Sequence, residues 1–109
     1  MADMSIEDWR RRIDELDQKL VELLNQRAQC AVEIGRLKRH TNLPVYEPDR
    51  EKAILEHVCR ANHGPLSDDD LKRVYERMID VMRSIQKLDM APRAKLVGES
   101  TELDMDVND

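Results

Sequence analysis

At 109 residues the chain has the length of one domain, and its composition (38% charged, 3% aromatic, no Phe) suits long solvated helices better than a sandwich or barrel. The formal net charge of −5 argues against nucleic acid and anionic membrane as partners. No segment approaches the ~20 apolar residues of a membrane span, and the N-terminus lacks the apolar run of a secretory signal.

The first predicted element runs from Ser5 to about His40. Ser5 and Asp8 form a capping box at its start, and Thr41-Asn42-Leu43-Pro44 ends it. Ile6, Trp9, Ile13, Leu16, Leu20, Leu23, Cys30, Ile34 and Leu37 recur on an alternating three-four step, the heptad signature of a packed helix. Arg27 breaks that step where an apolar residue is expected. Lys38 follows eleven residues later, about three whole turns on, so both cations are expected on the buried stripe, about 16 Å apart. A cation in a core needs an anion, either a carboxylate partner or a ligand, and the pattern alone leaves both open. Cys30 reads as a buried free thiol on the same stripe. Cys30 and Cys59 share no ligand-like spacing with His40, His57 or His63, so no metal site is expected and a reduced, cytoplasmic setting follows.

Val45-Tyr46-Glu47 reads as an extended link, and Pro48 as the first residue of a second helix that turns Ala53, Ile54, Val58 and Leu55 inward. The run Glu47-Pro48-Asp49-Arg50-Glu51 serves helix capping and local ion pairs on the simplest reading. Asn62-His63-Gly64-Pro65 is a stop, and Ser67 with Asp70 is a second capping box. The third helix is expected to reach about Met90, with Leu71, Val74, Tyr75, Met78, Ile79, Met82, Ile85 and Leu88 on one face and Pro92 closing it. Gln86, one turn beyond Met82, either faces the core, where its amide needs partners, or reaches out to water. Residues 1–92 thus form one helical domain, and 93–109 an acidic tail expected to be disordered.

A first helix of ~36 residues is ~54 Å long, beyond what two shorter companions can enclose, so a homodimer joined through the long helices is expected. Arg10 lies seventeen residues and ~25 Å from Arg27, too far for one metabolite to touch both within a chain. Arg10 is either an ordinary solvated arginine or a contributor to the partner's site.

Three strings on the first helix, Ile13-Asp14-Glu15-Leu16-Asp17, Leu23-Leu24-Asn25-Gln26-Arg27 and Ile34-Gly35-Arg36-Leu37-Lys38, resemble the first helix of the all-helical chorismate mutases. Pro44-Val45-Tyr46-Glu47-Pro48-Asp49-Arg50-Glu51, Asn62-His63-Gly64-Pro65-Leu66-Ser67 and Ile85-Gln86 resemble that family's later motifs, in order and in register from Ile6 to Leu88. The resemblance implies an interlaced homodimer of three-helix chains that rearranges chorismate to prephenate without metal or cofactor. It implies that Arg27 clamps one substrate carboxylate and that Arg10 of the other subunit clamps the second. By the same resemblance, Lys38 and Gln86 address the ether oxygen, Glu51 and the backbone near Glu47 accept from the substrate hydroxyl, and Arg50 supports the carboxylate end. Met82 stands where many relatives carry Ser or Ala, and Glu47 where Asp is commoner. A sister activity on the same scaffold, isochorismate pyruvate lyase, and a non-catalytic helical dimerisation or regulatory module are the alternatives. A degenerate module would be expected to lose one of Arg10, Arg27, Lys38 or Gln86, and all four are present.

Overall fold

The computed structural model describes residues 3–88. The expected end of the third helix at Met90, the closing Pro92 and the acidic tail lie outside the described residues. Three helices, α1 (Ile6–Thr41), α2 (Pro48–Ala61) and α3 (Asp68–Leu88), account for most of the described chain, and none is long and apolar enough to cross a membrane.

The helix boundaries have local causes. The Ser5 hydroxyl accepts from the Asp8 amide at 3.1 Å while the Asp8 carboxylate accepts from the Ser5 amide at 2.9 Å, a reciprocal capping box. The helix closes where Asn42 turns left-handed (φ 57°) and the Leu43 amide reaches back to the Lys38 carbonyl at 3.0 Å. Pro48 opens α2, with no side-chain cap from Glu47. Asn62 organises the turn to α3: its amide nitrogen donates to the Leu66 carbonyl (2.9 Å) and to Asp68 (2.8 Å), and its oxygen accepts from Gly64 at 3.0 Å. Gly64, at φ 73°, supplies a conformation that side-chain-bearing residues rarely adopt. At Ser67 only half of the expected box forms. The Asp70 amide donates to the Ser67 hydroxyl, but the Asp70 carboxylate turns to Arg73.

The chain divides after Cys30 into two units. From Ile6 onward the first is helix alone. None of residues 3–30 is buried, and Ile6, Trp9, Ile13, Leu16, Leu20 and Leu23 are each at least half exposed. The second comprises the last turns of α1, the link, and α2 packed against α3. Its core is Ala31, Ile79 and Met82, with Gly35 and Lys38 also buried. Ile54, Leu55, Val58 and Cys59 of α2 are half-buried.

Several expectations change here. The heptad stripe is not what the chain covers. Ile34 and Leu37 remain exposed, and the buried positions Ala31, Gly35 and Lys38 lie about 100° around the helix. Gly35 lets the Gln86 backbone of α3 come close, and α1 turns that face inward. Lys38 is buried, as expected from its spacing. Cys30, on the stripe, is exposed rather than a buried thiol. Ala53 is exposed because α2 turns its 54/55/58/59 face inward, and Val74 of α3 is exposed as well.

Candidate active site

The site is built around the ammonium of Lys38, which is only 7% exposed. An ammonium has three N–H donors, and here it meets three acceptors. Nζ donates to the Val45 carbonyl at 3.0 Å and to Gln86 Oε1 at 3.1 Å, and pairs with Glu47 Oε1 at 2.6 Å. The left-handed turn at Asn42 reverses the chain after α1, so the link returns beside the last helical turn and presents Val45 and Glu47 to Lys38.

Gln86 arrives from α3, 48 residues away in sequence. Gly35 makes that approach possible: a Cβ there would stand 2.9 Å from the Gln86 carbonyl oxygen and 3.0 Å from its Cα. Gln86 therefore faces the core, with Oε1 held by Lys38. With the amide assigned this way, Nε2 keeps its two N–H donors for another acceptor. A cavity of ≈ 420 Å³ borders this cluster, lined by Gly35, Lys38, Arg39, Asn42, Leu43 and Val45.

The Lys38–Glu47 pair is unequal: Lys38 is enclosed, whereas the Glu47 side chain is 48% exposed. An incoming anion can replace Glu47 at the ammonium while Glu47 returns to water. A buried cation and a fixed amide donor are suited to stabilising negative charge on an oxygen.

Beside this cluster stands a second one that sequence reasoning missed. Arg83 of α3 grips Glu51 of α2 with both sides of its guanidinium, Nε to Oε2 at 2.9 Å and Nη2 to both oxygens at 2.8 Å. Its guanidinium carbon lies 5.1 Å from the centroid of the Tyr46 ring, and Nη1 lies 3.3 Å from Asp80. The hydrogen bonds that Arg83 donates to Glu51 hold the Arg83 pKa above its ordinary value, against a smaller opposing effect of burial. A faint signal was present in the sequence, an arginine one turn before Gln86. Nothing local paired it with a carboxylate 32 residues upstream.

The remaining candidates are placed as follows. Met82 is buried in the core of the second unit, 6% exposed. Arg50 is exposed at the start of α2. In the first unit, Arg10 is exposed and pairs with Glu7 at 3.1 Å. Arg27 is half-buried and has no hydrogen bond or ion pair among the described residues. The structure thus brings Lys38, Glu47 and Gln86 together, and sets Glu51 with Arg83 beside the same link. Among the described residues no group of three or more His, Cys, Asp or Glu is arranged to hold a metal ion.

Comparison with known proteins places the chain in a family. Residues 9–87 match the model of the family described as chorismate mutase type II. The chain is 36% identical, over 104 residues and 90% of its length, to the bifunctional chorismate mutase/prephenate dehydratase of Pseudomonas aeruginosa, and spans 28% of that protein. It is also similar to the chorismate mutase of Methanocaldococcus jannaschii, 25% identical over 79 residues and covering 80% of that relative. The chain spans about a quarter of the length of the bifunctional relatives it matches. Among solved structures, a chorismate mutase from Thermus thermophilus superposes with a TM-score of 0.74 at 27% identity, covering 75% of this chain and 93% of that one. A chorismate mutase from Helicobacter pylori in complex with prephenate superposes with a TM-score of 0.71 at 29% identity, covering 78% and 92%. With a family match over most of its length and three helices that superpose on solved members, this chain belongs to the chorismate mutase type II family.

Proposed function

We propose that this chain converts chorismate to prephenate, and that it does so as a homodimer. The observation that carries the reading is the enclosed Lys38 ammonium, shared between the Gln86 amide and an exchangeable Glu47 carboxylate. The reaction is an intramolecular rearrangement in which one carbon–oxygen bond breaks as one carbon–carbon bond forms. No proton, nucleophile or leaving group has to be handled. The protein's task is to hold a flexible dicarboxylate in its compact reactive conformer and to stabilise charge developing on the ether oxygen. Orientation of this kind can supply roughly 7–11 kcal/mol in favourable cases, and fixed donors add to it.

In this reading the substrate displaces Glu47 from Lys38, which then holds a carboxylate and the ether oxygen region. Gln86 Nε2 donates to the ether oxygen from the other side. Glu51, with the backbone near Glu47, accepts from the substrate hydroxyl, and Arg50 supports the carboxylate end. Arg27 clamps one carboxylate and Arg10 of the second copy clamps the other, a task suited to the planar guanidinium fork. Met82 backs the pocket from the core. The exposed stripe from Ile6 to Leu37 supports the second copy, because an isolated helix with that much open apolar surface has little reason to persist in water. Residues 1–92 are taken as the functional domain.

The test is direct. Purified chain given chorismate should consume the substrate's ultraviolet absorbance and yield prephenate, with no added metal or cofactor. A rate equal to the uncatalysed one would refute the proposal, and release of pyruvate from isochorismate instead would assign the sister activity. Mixing Arg10→Ala chains with Arg27→Ala chains should restore part of the lost rate, because some mixed dimers regain one intact site.

A further inference from the structure

Arg83 itself has no part in the chemistry described so far, yet its pairing with Glu51 is the best-formed side-chain interaction between α2 and α3. A surface ion pair with one loose contact contributes little and needs no function. This one differs in three ways. Both Glu51 oxygens are engaged by two guanidinium nitrogens at 2.8–2.9 Å, so the carboxylate plane is fixed as well as its position. Both side chains are only about a quarter exposed. The same guanidinium also lies over the ring of Tyr46, whose chain neighbours are Val45 and Glu47, the two link residues bound to Lys38.

We propose that Arg83 is a positioning residue for the Lys38 site, which clamps Glu51 and, through the Tyr46 ring, holds the link that presents Val45 and Glu47 to Lys38. It also balances charge. A substrate with two carboxylates would be repelled by a bare Glu51, whereas a Glu51 already matched by Arg83 can accept a hydroxyl proton through a remaining lone pair without opposing the dianion. Arg83 thereby favours a substrate that is doubly anionic and carries a hydroxyl, over an anion that lacks one. Lysine cannot replace it, since an ammonium offers neither the two-pronged grip nor a flat face to the ring.

The inference rests on the functional reading given above for its substrate, and the experiment separates the two. Kinetics on chorismate are measured for wild type, Arg83→Ala, Arg83→Lys and the double variant Arg83→Ala/Glu51→Gln. Arg83→Ala is expected to raise KM at least tenfold with a smaller change in kcat, and Arg83→Lys to recover little of it. The double variant should bind better than Arg83→Ala alone, because it removes the stranded charge while keeping an acceptor oxygen. A purely structural Arg83 would show no such recovery. KM values for Arg83→Ala within twofold of wild type, or a double variant no better than the single one, would overturn the proposal. The clamp is also read without turnover, from the nitrogen-15 signal of the Arg83 Nε–H. Slow exchange in wild type, lost in Glu51→Ala, is expected, and persistence of that signal in Glu51→Ala overturns the clamp whatever the kinetics show. Wild-type chain that leaves chorismate untouched refutes the proposed function instead, and the Nε–H signal then decides the clamp by itself.

Discussion

Gly35→Ala is the most discriminating single substitution in this chain, because its two effects on stability have opposite signs. In an ordinary helix interior, replacing Gly by Ala gains about 1 kcal/mol. At position 35 the new Cβ would stand 2.9 Å from the Gln86 carbonyl oxygen, a backbone atom that cannot rotate away. Moving from 2.9 Å to the 3.4 Å of an ordinary contact requires α3 to retreat by 0.5 Å. Overpacking of this kind costs about 1–3 kcal/mol, so the net result is a loss of up to about 2 kcal/mol. The same retreat stretches the Lys38–Gln86 hydrogen bond from 3.1 Å to about 3.6 Å, past useful length. Losing one donor to a developing oxyanion lowers rates by about 10²–10³, and a donor displaced but still present should fall short of that, at about 10–100-fold in kcat. Urea midpoints read the first effect and chorismate turnover the second. Gly64→Ala is the control: its positive φ makes alanine unfavourable by about 1–2 kcal/mol, but nothing stands within 4 Å and the site should be untouched. A Gly35→Ala protein more stable than wild type, with unchanged kcat, would refute the close α1–α3 approach on which the site depends.

Three further outcomes are expected. Lys38→Ala should lower kcat by about 10²–10³ through loss of the buried cation, and a rate within threefold of wild type would remove Lys38 from the site. Leu20→Asp should weaken self-association: Leu20 is 53% exposed in the single chain, covering that half is worth roughly 1 kcal/mol, and a two-fold dimer counts it twice. Sedimentation should therefore show a dimer dissociating at least about thirtyfold more readily, and an unchanged constant would place the interface elsewhere. The Asp8 carboxyl is held below its ordinary value of 3.8, first by the hydrogen bond from the Ser5 amide and then by the Ser5 hydroxyl and Arg11. A lowered folded-state value means that its contribution is present above about 3.8 and is lost as pH falls through the folded value. A carboxyl NMR titration should show the low midpoint, Ser5→Ala should move it upward, and an Asp8 midpoint insensitive to Ser5 would contradict the reciprocal cap.

What the sequence by itself determined is mostly local. The Ser5–Asp8 box, the stop at Asn42, Pro48 at the head of α2 and the Asn62–Gly64 turn each follow from a residue acting within six positions of itself in the chain. The exposed heptad stripe was also legible, since its spacing reflects helix geometry alone, although the chain does not itself cover it. Resemblance to a known family supplied Arg10, Arg27, Lys38, Glu47, Arg50, Glu51, Met82 and Gln86 as a set, of which periodicity by itself had singled out Arg27 and Lys38.

Only the tertiary structure decided which face of α1 turns inward. Apolar spacing pointed to Cys30, Ile34 and Leu37, but the buried positions are Ala31, Gly35 and Lys38, and it is the missing side chain at Gly35 that lets the Gln86 backbone approach. The same approach determines that Gln86, whose orientation the sequence left open, faces the core. The pairing of Arg83 with Glu51 and Tyr46 belongs to that level too, since it joins three elements that come together only after folding. Helix ends are settled by bonds between near neighbours in the chain, whereas a site is settled by volumes and charges meeting from distant parts of it.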